Sequence, residues 1–259
     1  MLNEEWLRPD WAVSQVRAFM TTRAGGLSQG VHASMNIGRS VGDDLSTVME
    51  NRARVGQALG AQPVFMPQVH GTEVLRLEPA YAVPFADMPK ADAAVSTTPG
   101  LAVAIQVADC LPVLFAAPGG VAGAHAGWRG LAAGVLENTV SALCEAAHCR
   151  PGQLHAWMGA CIGPEAFEVG ADVLEAFGVV PQPRNVEHFL YRPNAAGQAR
   201  WRADLPGLAR ARLERLDLAG ISGGCWCTFS DQRFFSYRRE RIDGPHSPRG
   251  RMVAAIALR

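Results

Sequence analysis

The chain has 259 residues with 24 basic and 24 acidic side chains, so its formal net charge is zero. Hydrophobic residues make up 48% and charged residues 19% of it, a balance that is typical of globular proteins and excludes extended disorder. Equal numbers of basic and acidic side chains give no indication of a basic surface for nucleic acid or an anionic membrane. No stretch reaches the ~18 uninterrupted apolar residues of a membrane span. We expect a single domain over residues 1–259 without a nucleic-acid or membrane partner.

The first eight residues, MLNEEWLR, contain neither a basic n-region nor an apolar h-region, so they do not resemble a secretory signal. The six cysteines form an even number, yet a chain this long and apolar does not depend on disulfides for stability. We therefore expect reduced thiols and a cytoplasmic location.

Alternation and helical periodicity predict the first two elements. Residues 16–23 alternate between apolar and polar side chains, which indicates a strand. Apolar residues from Leu45 to Leu59 recur at helical spacing. Asp43 or Asp44 suits the start of this helix, and Gly60 suits its end.

Five apolar segments predict strands in the middle of the chain. Residues 64–69 and 73–77 flank the tripeptide HGT, which indicates a tight hairpin or a bent strand. The segment LAVAIQV at 101–107 is almost continuously apolar, as is typical of a strand buried on both faces. Residues 112–117 and 121–125 predict two further strands joined through a Pro-Gly-Gly turn.

Helices and strands are both expected in the C-terminal half. The predicted helices are 130–147, 172–177 and 205–218, the last capped by Asp204 and ended by Gly220. The predicted strands are 154–158, 234–237 and 252–258, with Arg238 and Arg239 on an outer face beside the second. Strands outnumber helices, so we expect an α/β or mixed α+β fold of layered mixed β-sheets covered by helices.

Three segments combine a potential metal ligand with glycine or proline at the end of an apolar strand. They are QVHG, ADCLP and AHAGWRG, which contain His70, Cys110 and His125. Strand ends are rigid and their loops are free, so functional sites are commonly built there. Each residue taken singly is more often a packed or hydrogen-bonded side chain, whereas the repeated combination favours a site.

Two imidazoles and one thiolate suit a borderline-soft divalent cation. Three protein ligands with an open fourth position are typical of catalytic zinc, whereas structural zinc sites usually have four ligands. Copper also accepts two nitrogens and one sulfur. The donor set by itself therefore suits zinc or copper, and the spacing of the three residues does not distinguish the two metals.

Two charged neighbours of these ligands each have a structural and a functional interpretation. Asp109 follows a buried run, where a carboxylate is costly unless it is hydrogen-bonded. It either orients a metal ligand or caps a backbone turn. Arg129 lies beside the expected start of a helix, where it either binds phosphate or stacks on Trp128 at the surface.

The motifs occur in the order found in a known family. TTRAGGLSQG, SMNIG, VGDD, QVHG, ADCLPV, HAGWRG, CIGP and FFSYRR resemble its signatures from residue 21 to residue 239. On these segments the chain is identified as a member of the YfiH-like family, also called the polyphenol oxidoreductase laccase domain. The resemblance implies a layered α/β fold, similar in outline to the catalytic domain of cytotoxic necrotizing factors.

The resemblance also implies a chemistry. His70, Cys110 and His125 are implied to bind zinc. We predict catalytic roles for Cys110 and His125, with Asp109 as support of a ligand or as proton carrier. The implied activity is zinc-dependent purine nucleoside phosphorolysis of adenosine, inosine and methylthioadenosine, accompanied by adenosine deamination. Purine nucleoside and phosphate are then the small-molecule partners. The candidate substrate-binding residues are Arg129, Asn36, Arg23 and Arg52.

Three other functions stay open on the sequence. One is a copper polyphenol oxidase, although seven histidines are few for a multicopper enzyme. Another is a hydrolase or amidase that edits cell-wall peptide precursors, with Cys110 as nucleophile and His125 as its base. The third is a zinc-stabilised binding module without turnover.

Overall fold

The computed structural model describes residues 3–11, 13–82 and 88–259, and within them thirteen strands and six α-helices form layers. The strands are β1 Val16–Met20, β2 Gln62–Phe65, β3 Val74–Arg76, β4 Ala93–Ser96, β5 Leu101–Val107, β6 Leu111–Ala117, β7 Gly120–Ala126, β8 His155–Met158, β9 Glu168–Val169, β10 Phe189–Tyr191, β11 Trp201–Ala203, β12 Gly220–Gly223 and β13 Met252–Leu258. The helices are α1 Leu45–Leu59, α2 Trp128–Ala133, α3 Val135–Ala147, α4 Ala171–Ala176, α5 Leu205–Glu214 and α6 Tyr237–Asp243. None of the helices in these ranges is long and apolar enough to cross a membrane.

Most strands belong to two mixed sheets. In the first sheet the order is β1-β13-β5-β2, with β2 parallel to β5 and the other neighbours antiparallel. In the second the order is β12-β8-β6-β7-β4-β3, with parallel pairs at both edges and antiparallel pairs between them. Strands β10, β11 and β9 form a small antiparallel sheet. The architecture confirms the predicted fold class of layered mixed sheets with helices.

Three apolar clusters separate the layers. The first lies between the two large sheets and contains Ile105 of β5, Ile256 of β13 and Leu114 of β6. A second packs α3 and α5 on the other face of the second sheet. A third packs Val55 and Leu59 of α1 on the other face of the first sheet. The layers therefore follow in the order helix, sheet, sheet, helices, and both sheets are rigid because both faces are buried.

Helix α1 has the predicted boundaries. The Asp44 carboxylate accepts a hydrogen bond from the Thr47 N–H at 2.8 Å, which caps the first turn. Gly60 adopts φ 66° and ends the helix in the left-handed conformation that glycine favours. These local signals decide both ends of the helix that packs beside the candidate site.

Two predicted helices are shorter than expected. Residues 130–147 form two helices, α2 and α3, because Gly134 adopts φ 99° between them. Helix α5 ends at Glu214, and the predicted terminator Gly220 instead begins strand β12. The Ala219 N–H donates to the Leu154 carbonyl at 2.8 Å, so sheet pairing with β8 begins where the helix was expected to continue.

The predicted hairpin around residues 70–72 is wrong. Strand β2 pairs with β5 in the first sheet, whereas β3 pairs with β4 in the second. Residues 66–73 therefore cross from one sheet to the other. Strand partners depend on the whole layer arrangement, which the local pattern of two short strands does not contain.

The predicted strand at residues 234–237 is also wrong. Ser236 accepts a hydrogen bond from the Arg239 N–H and caps α6, so the chain turns into a helix there. Arg239 does not face outward: it is 4% exposed and donates to the carbonyl oxygens of Thr228, Phe229 and Phe234. Its guanidinium ties the loop before α6 together.

Candidate metal centre

The structure brings His70, Cys110 and His125 together. His70 lies in the crossing segment between β2 and β3, Cys110 directly precedes β6, and His125 is the second-last residue of β7. Their donor atoms all lie within 4.8 Å of one another, and Cys110 Sγ lies 3.7 Å from His70 Nε2. Three segments that are distant in sequence therefore converge at one point.

These donors fit a tetrahedral cation. Zinc–sulfur and zinc–nitrogen bonds of about 2.3 and 2.0 Å at a tetrahedral angle place the two donor atoms about 3.5 Å apart. The 3.7 Å between Cys110 Sγ and His70 Nε2 agrees with that separation. Two nitrogens and one sulfur also suit copper, so the geometry is compatible with both metals.

The backbone at two of these segments adopts unusual conformations. His70 has φ 63° and Asp109, next to Cys110, has φ 99°, both in the region that non-glycine residues seldom occupy. Such conformations cost on the order of 1 kcal/mol each and persist only where neighbours hold them. The backbone of His70 is held by hydrogen bonds to the carboxylate of another residue. Asp109 is held by the hydrogen bonds that its own carboxylate accepts.

The carboxylate that holds His70 belongs to Asp92, a residue absent from the sequence-based predictions. Asp92 is fully buried immediately before β4. It accepts hydrogen bonds from the N–H groups of Val69, His70 and Gly71 at 3.0, 2.8 and 2.7 Å, and from His125 Nδ1 at 2.8 Å. A signal for it exists in the sequence: Asp92 is the single charged residue in the apolar run ADAAV.

The electrostatics of this cluster favour charged groups. Burial alone would raise the pKa of the Cys110 thiol, but the His125 and His70 imidazoles lower that pKa to about 6. Burial alone would lower the pKa of His125, but the Cys110 thiolate and the Asp92 carboxylate raise it to about 9. For Asp92, hydrogen bonds from His125, Gly71 and Val69 outweigh its burial and lower its pKa. A thiolate is the form of cysteine that both metal binding and nucleophilic chemistry need.

Glycine is required at two positions of the HAGWRG motif. A Cβ on Gly127 would lie 2.7 Å from His70 Cδ2 and 3.2 Å from Cys110 Sγ. A Cβ on Gly130 would lie 2.7 Å from the Gly71 carbonyl oxygen. The motif therefore allows the start of α2 to approach the ligands closely, which explains its glycines in physical terms.

The three donor residues line a cavity of about 890 Å³ that also contains arginines. Arg52 lies at its wall, with its guanidinium 3.9 Å above the Phe65 ring and its Nε donating to the Ile37 carbonyl. Arg39 and Arg251 line the same cavity, and no carboxylate does so among the described residues. Burial first, and repulsion from Arg39 second, lower the pKa of Arg52 to about 10. An anion in this cavity would relieve both effects.

Two other predicted substrate-binding residues make hydrogen bonds within the protein away from the cavity lining. Asn36 is fully buried; its amide donates to Gly38 O and Asp43 Oδ2 and accepts from the N–H groups of Gly38 and Arg251. Arg23 donates to the carbonyls of Ala33 and Gln232. Neither side chain is among the described residues that line the cavity.

Arg129 and Asp109 occupy places that match their structural interpretations. The exposed Arg129 guanidinium stacks 4.2 Å from the Trp128 ring and is not among the described cavity-lining residues. Asp109 accepts hydrogen bonds from the Thr228 hydroxyl at 2.6 Å and from the Arg238 N–H at 2.7 Å. Its carboxylate thus ties the Cys110 turn to the first turn of α6.

The chain resembles known proteins over most of its length. The family model described as multi-copper polyphenol oxidoreductase laccase matches residues 17–259. A Pseudomonas aeruginosa protein named purine nucleoside phosphorylase is 46% identical over 244 residues, covering 92% of this chain and 95% of that protein. The purine nucleoside phosphorylase YfiH of Escherichia coli K12 is 43% identical over 242 residues, covering 91% and 94%.

Solved structures share the fold. A crystal structure of a Neisseria meningitidis protein superposes with a TM-score of 0.84 at 40% identity, covering 98% of this chain and 99% of that one. YlmD from Geobacillus stearothermophilus gives a TM-score of 0.83 at 30% identity, covering 100% and 98%.

Proposed function

This chain belongs to the multi-copper polyphenol oxidoreductase laccase family, and from that premise we propose that it is a metal-dependent purine nucleoside phosphorylase. The proposed metal is zinc, held by His70, Cys110 and His125. The proposed substrates are adenosine, inosine and methylthioadenosine with phosphate, and adenosine deamination accompanies phosphorolysis. One observation carries the proposal: the three donors and three arginines line one cavity of about 890 Å³, which is ample for a nucleoside and a phosphate.

The arginines supply what a phosphate needs. Arg39, Arg52 and Arg251 place three positive charges in the cavity wall, and guanidinium groups bind phosphate oxygens through paired hydrogen bonds. Arg52 is restrained by its contacts to Phe65 and Ile37, so it loses little freedom when an anion binds. We therefore place the phosphate at this wall rather than at Arg129.

Phosphorolysis breaks the bond between the anomeric carbon and the purine nitrogen, while an oxygen of hydrogen phosphate forms a new bond to that carbon. The electron pair of the broken bond leaves with the purine, which takes up the proton that the phosphate releases. The arginine wall holds the phosphate in line with this carbon, which raises its effective concentration. The apolar side chains of Phe65, Met66 and Val107 exclude water from the same cavity. His70, Cys110 and His125 would hold the divalent cation, which would supply Lewis-acid chemistry when bound. Asp109 acts as a positioning residue through its contacts to Thr228 and the Arg238 N–H.

The proposal is tested by incubating purified, metal-loaded protein with adenosine and phosphate and separating the products by chromatography. We expect adenine and ribose 1-phosphate, and loss of both after chelation with recovery on adding zinc back. Inosine formed without phosphate reports the deaminase activity. Protein with stoichiometric metal that forms neither product would sink the proposal.

One observation favours a second candidate, a Cys–His hydrolase or amidase that edits cell-wall peptides. Cys110 Sγ lies within 4.8 Å of a ring nitrogen of His125, and His125 Nδ1 lies 2.8 Å from the Asp92 carboxylate. A nucleophile, a base and a carboxylate that orients the base form the arrangement used in covalent acyl transfer. In this function Cys110, His125 and Asp92 act without a metal.

Alkylation separates the two candidates. In metal-loaded protein, a cation-bound Cys110 thiolate is protected from iodoacetamide, whereas a free nucleophile reacts rapidly. Fast labelling of Cys110 at full metal occupancy, together with release of amino acids from peptide-linked precursors, favours the hydrolase. An electron-spin signal from copper in protein purified without added metal would instead favour the oxidase that the family description names.

A further inference from the structure

We infer that Asp92 is the positioning residue of the metal centre, which presents both histidines in binding geometry before any metal arrives. The inference rests on the proposed metal site and goes beyond it, since it concerns how the site is assembled. Its basis is one buried carboxylate that contacts two of the three proposed ligands.

Toward His125, the contact selects the donor atom. Asp92 Oδ1 lies 2.8 Å from His125 Nδ1, so this nitrogen carries the hydrogen and Nε2 is the nitrogen available to a cation. The two residues are also joined through the backbone, because the His125 N–H donates to the Asp92 carbonyl at 2.7 Å. His125 is 4% exposed, so its ring has little freedom to turn away.

Toward His70, the contact fixes the backbone. Three successive N–H groups, from Val69, His70 and Gly71, point at the two oxygens of one carboxylate. This is the geometry of a backbone anion cradle, and it accounts for the φ of 63° at His70. The backbone therefore directs the exposed His70 side chain toward Cys110, and the His70 ring lies edge-on to the His125 ring with the centroids 4.8 Å apart.

The carboxylate has no other role in the described structure that would explain its burial. A buried carboxylate is costly unless its acceptor positions are filled, and the four hydrogen bonds that the Asp92 carboxylate accepts all come from the two ligand segments. Apolar residues occupy the neighbouring positions Ala91, Ala93 and Ala94. Asp92 thus stabilises the relative position of His70 and His125.

The test is Asp92→Asn, which keeps the shape but replaces one acceptor oxygen by a donor. The new NH₂ group then faces one of two pairs of donors. If it replaces Oδ1, it faces His125 Nδ1–H and the His70 N–H; if it replaces Oδ2, it faces the N–H groups of Val69 and Gly71. We expect the zinc dissociation constant, measured by competition with a chromophoric chelator, to rise about 10–100-fold. By NMR, one of these two sets of N–H groups should exchange with water faster than in the wild type.

Asp204→Asn is the matched control. Asp204 also pairs with a histidine, His188, and caps α5, where asparagine caps equally well. We expect this variant to keep the wild-type zinc affinity and the wild-type exchange in residues 69–71.

The outcomes are separable. A folded Asp92→Asn variant with unchanged zinc affinity and unchanged exchange overturns the inference. If that variant does not fold, zinc-free wild-type protein decides: protected His125 Nδ1–H and amides at 69–71 support the inference, and rapid exchange overturns it. A wild-type protein that binds no zinc while these groups remain protected would remove the proposed metal and leave the Asp92 contacts confirmed.

Discussion

The two ends of the cavity are built from different parts of the fold. At the metal end, Cys110 and His125 lie where strands of the second sheet begin and end, and Asp92 connects His125 to His70. At the arginine end, Arg52 extends from α1 and Arg251 directly precedes β13 of the first sheet. The cavity therefore lies where the two sheets meet.

The ends also differ in what constrains them. Atoms around the metal end are in close contact, so that even a methyl group on Gly127 would meet two ligands. At the arginine end, charge is the constraint: burial and like-charge repulsion disfavour the Arg52 cation, and a bound anion would offset both. Substitutions at the metal end should therefore change the positions of the metal ligands. Substitutions at the arginine end should change only the affinity for phosphate.

The largest effect should come from removing a ligand. For Cys110→Ala we expect loss of stoichiometric metal and a decrease in kcat/KM for phosphorolysis on the order of 10³-fold, since the thiolate is one of three donors. Elemental analysis and product chromatography measure both. Cys144→Ala, on α3, is the control and should behave as wild type. Full metal content and full activity in Cys110→Ala would show that the metal end does not depend on this ligand, and would contradict the proposed difference between the two ends.

A methyl group at the metal end should act without removing any ligand. In Gly127→Ala the new Cβ would lie 2.7 Å from His70 Cδ2, so the imidazole or the backbone is forced to move. We expect the metal dissociation constant to rise about 10–100-fold, as when the support of a metal ligand is lost. In the control Gly152→Ala, the new methyl group meets Asp217 O at an ordinary 3.5 Å. Equal metal affinity in the two variants would show that the centre is looser than its contacts indicate.

At the arginine end, Arg52→Met should weaken phosphate binding and leave the metal in place. Loss of a charge-assisted hydrogen bond costs about 1.5–3 kcal/mol, which corresponds to a rise of about 10–100-fold in KM for phosphate. Steady-state kinetics at varied phosphate, with metal content measured in parallel, check this. Arg54→Met is matched: Arg54 is exposed on the same helix and contacts the Gly25 carbonyl. Loss of metal from Arg52→Met would show that the two ends are coupled.

The smallest effect is expected at Arg129. Its guanidinium stacks on Trp128 and is exposed, so Arg129→Ala should change KM for phosphate by no more than about twofold, as is usual for exposed side chains. The same kinetic series measures it. A rise in KM for phosphate as large as that of Arg52→Met would indicate that phosphate binds at Arg129, as the sequence suggested.

Much of the fold was predictable because its signals are local. The boundaries of α1 follow from Asp44 and Gly60, and strand β13 occupies the predicted residues 252–258. The three proposed ligands were singled out from the sequence as a set, since each lies at a strand end beside glycine, proline or a charged residue. Such features depend on neighbours within a few residues, and a sequence contains those neighbours directly.

Other features depend on contacts between distant segments. Residues far apart in the chain come together in the pairing of β2 and β3 with different sheets, in the burial of Arg239 and in the cavity that Arg52 and Arg251 both line. Asp92 shows the difference most clearly: in sequence it is one acidic residue in an apolar run, and in the fold it contacts segments 21 and 33 residues away. The sequence determined which chemistry was present. Only the tertiary structure decided which groups share a cavity, because that choice follows from packing both sheets and all their helices at once.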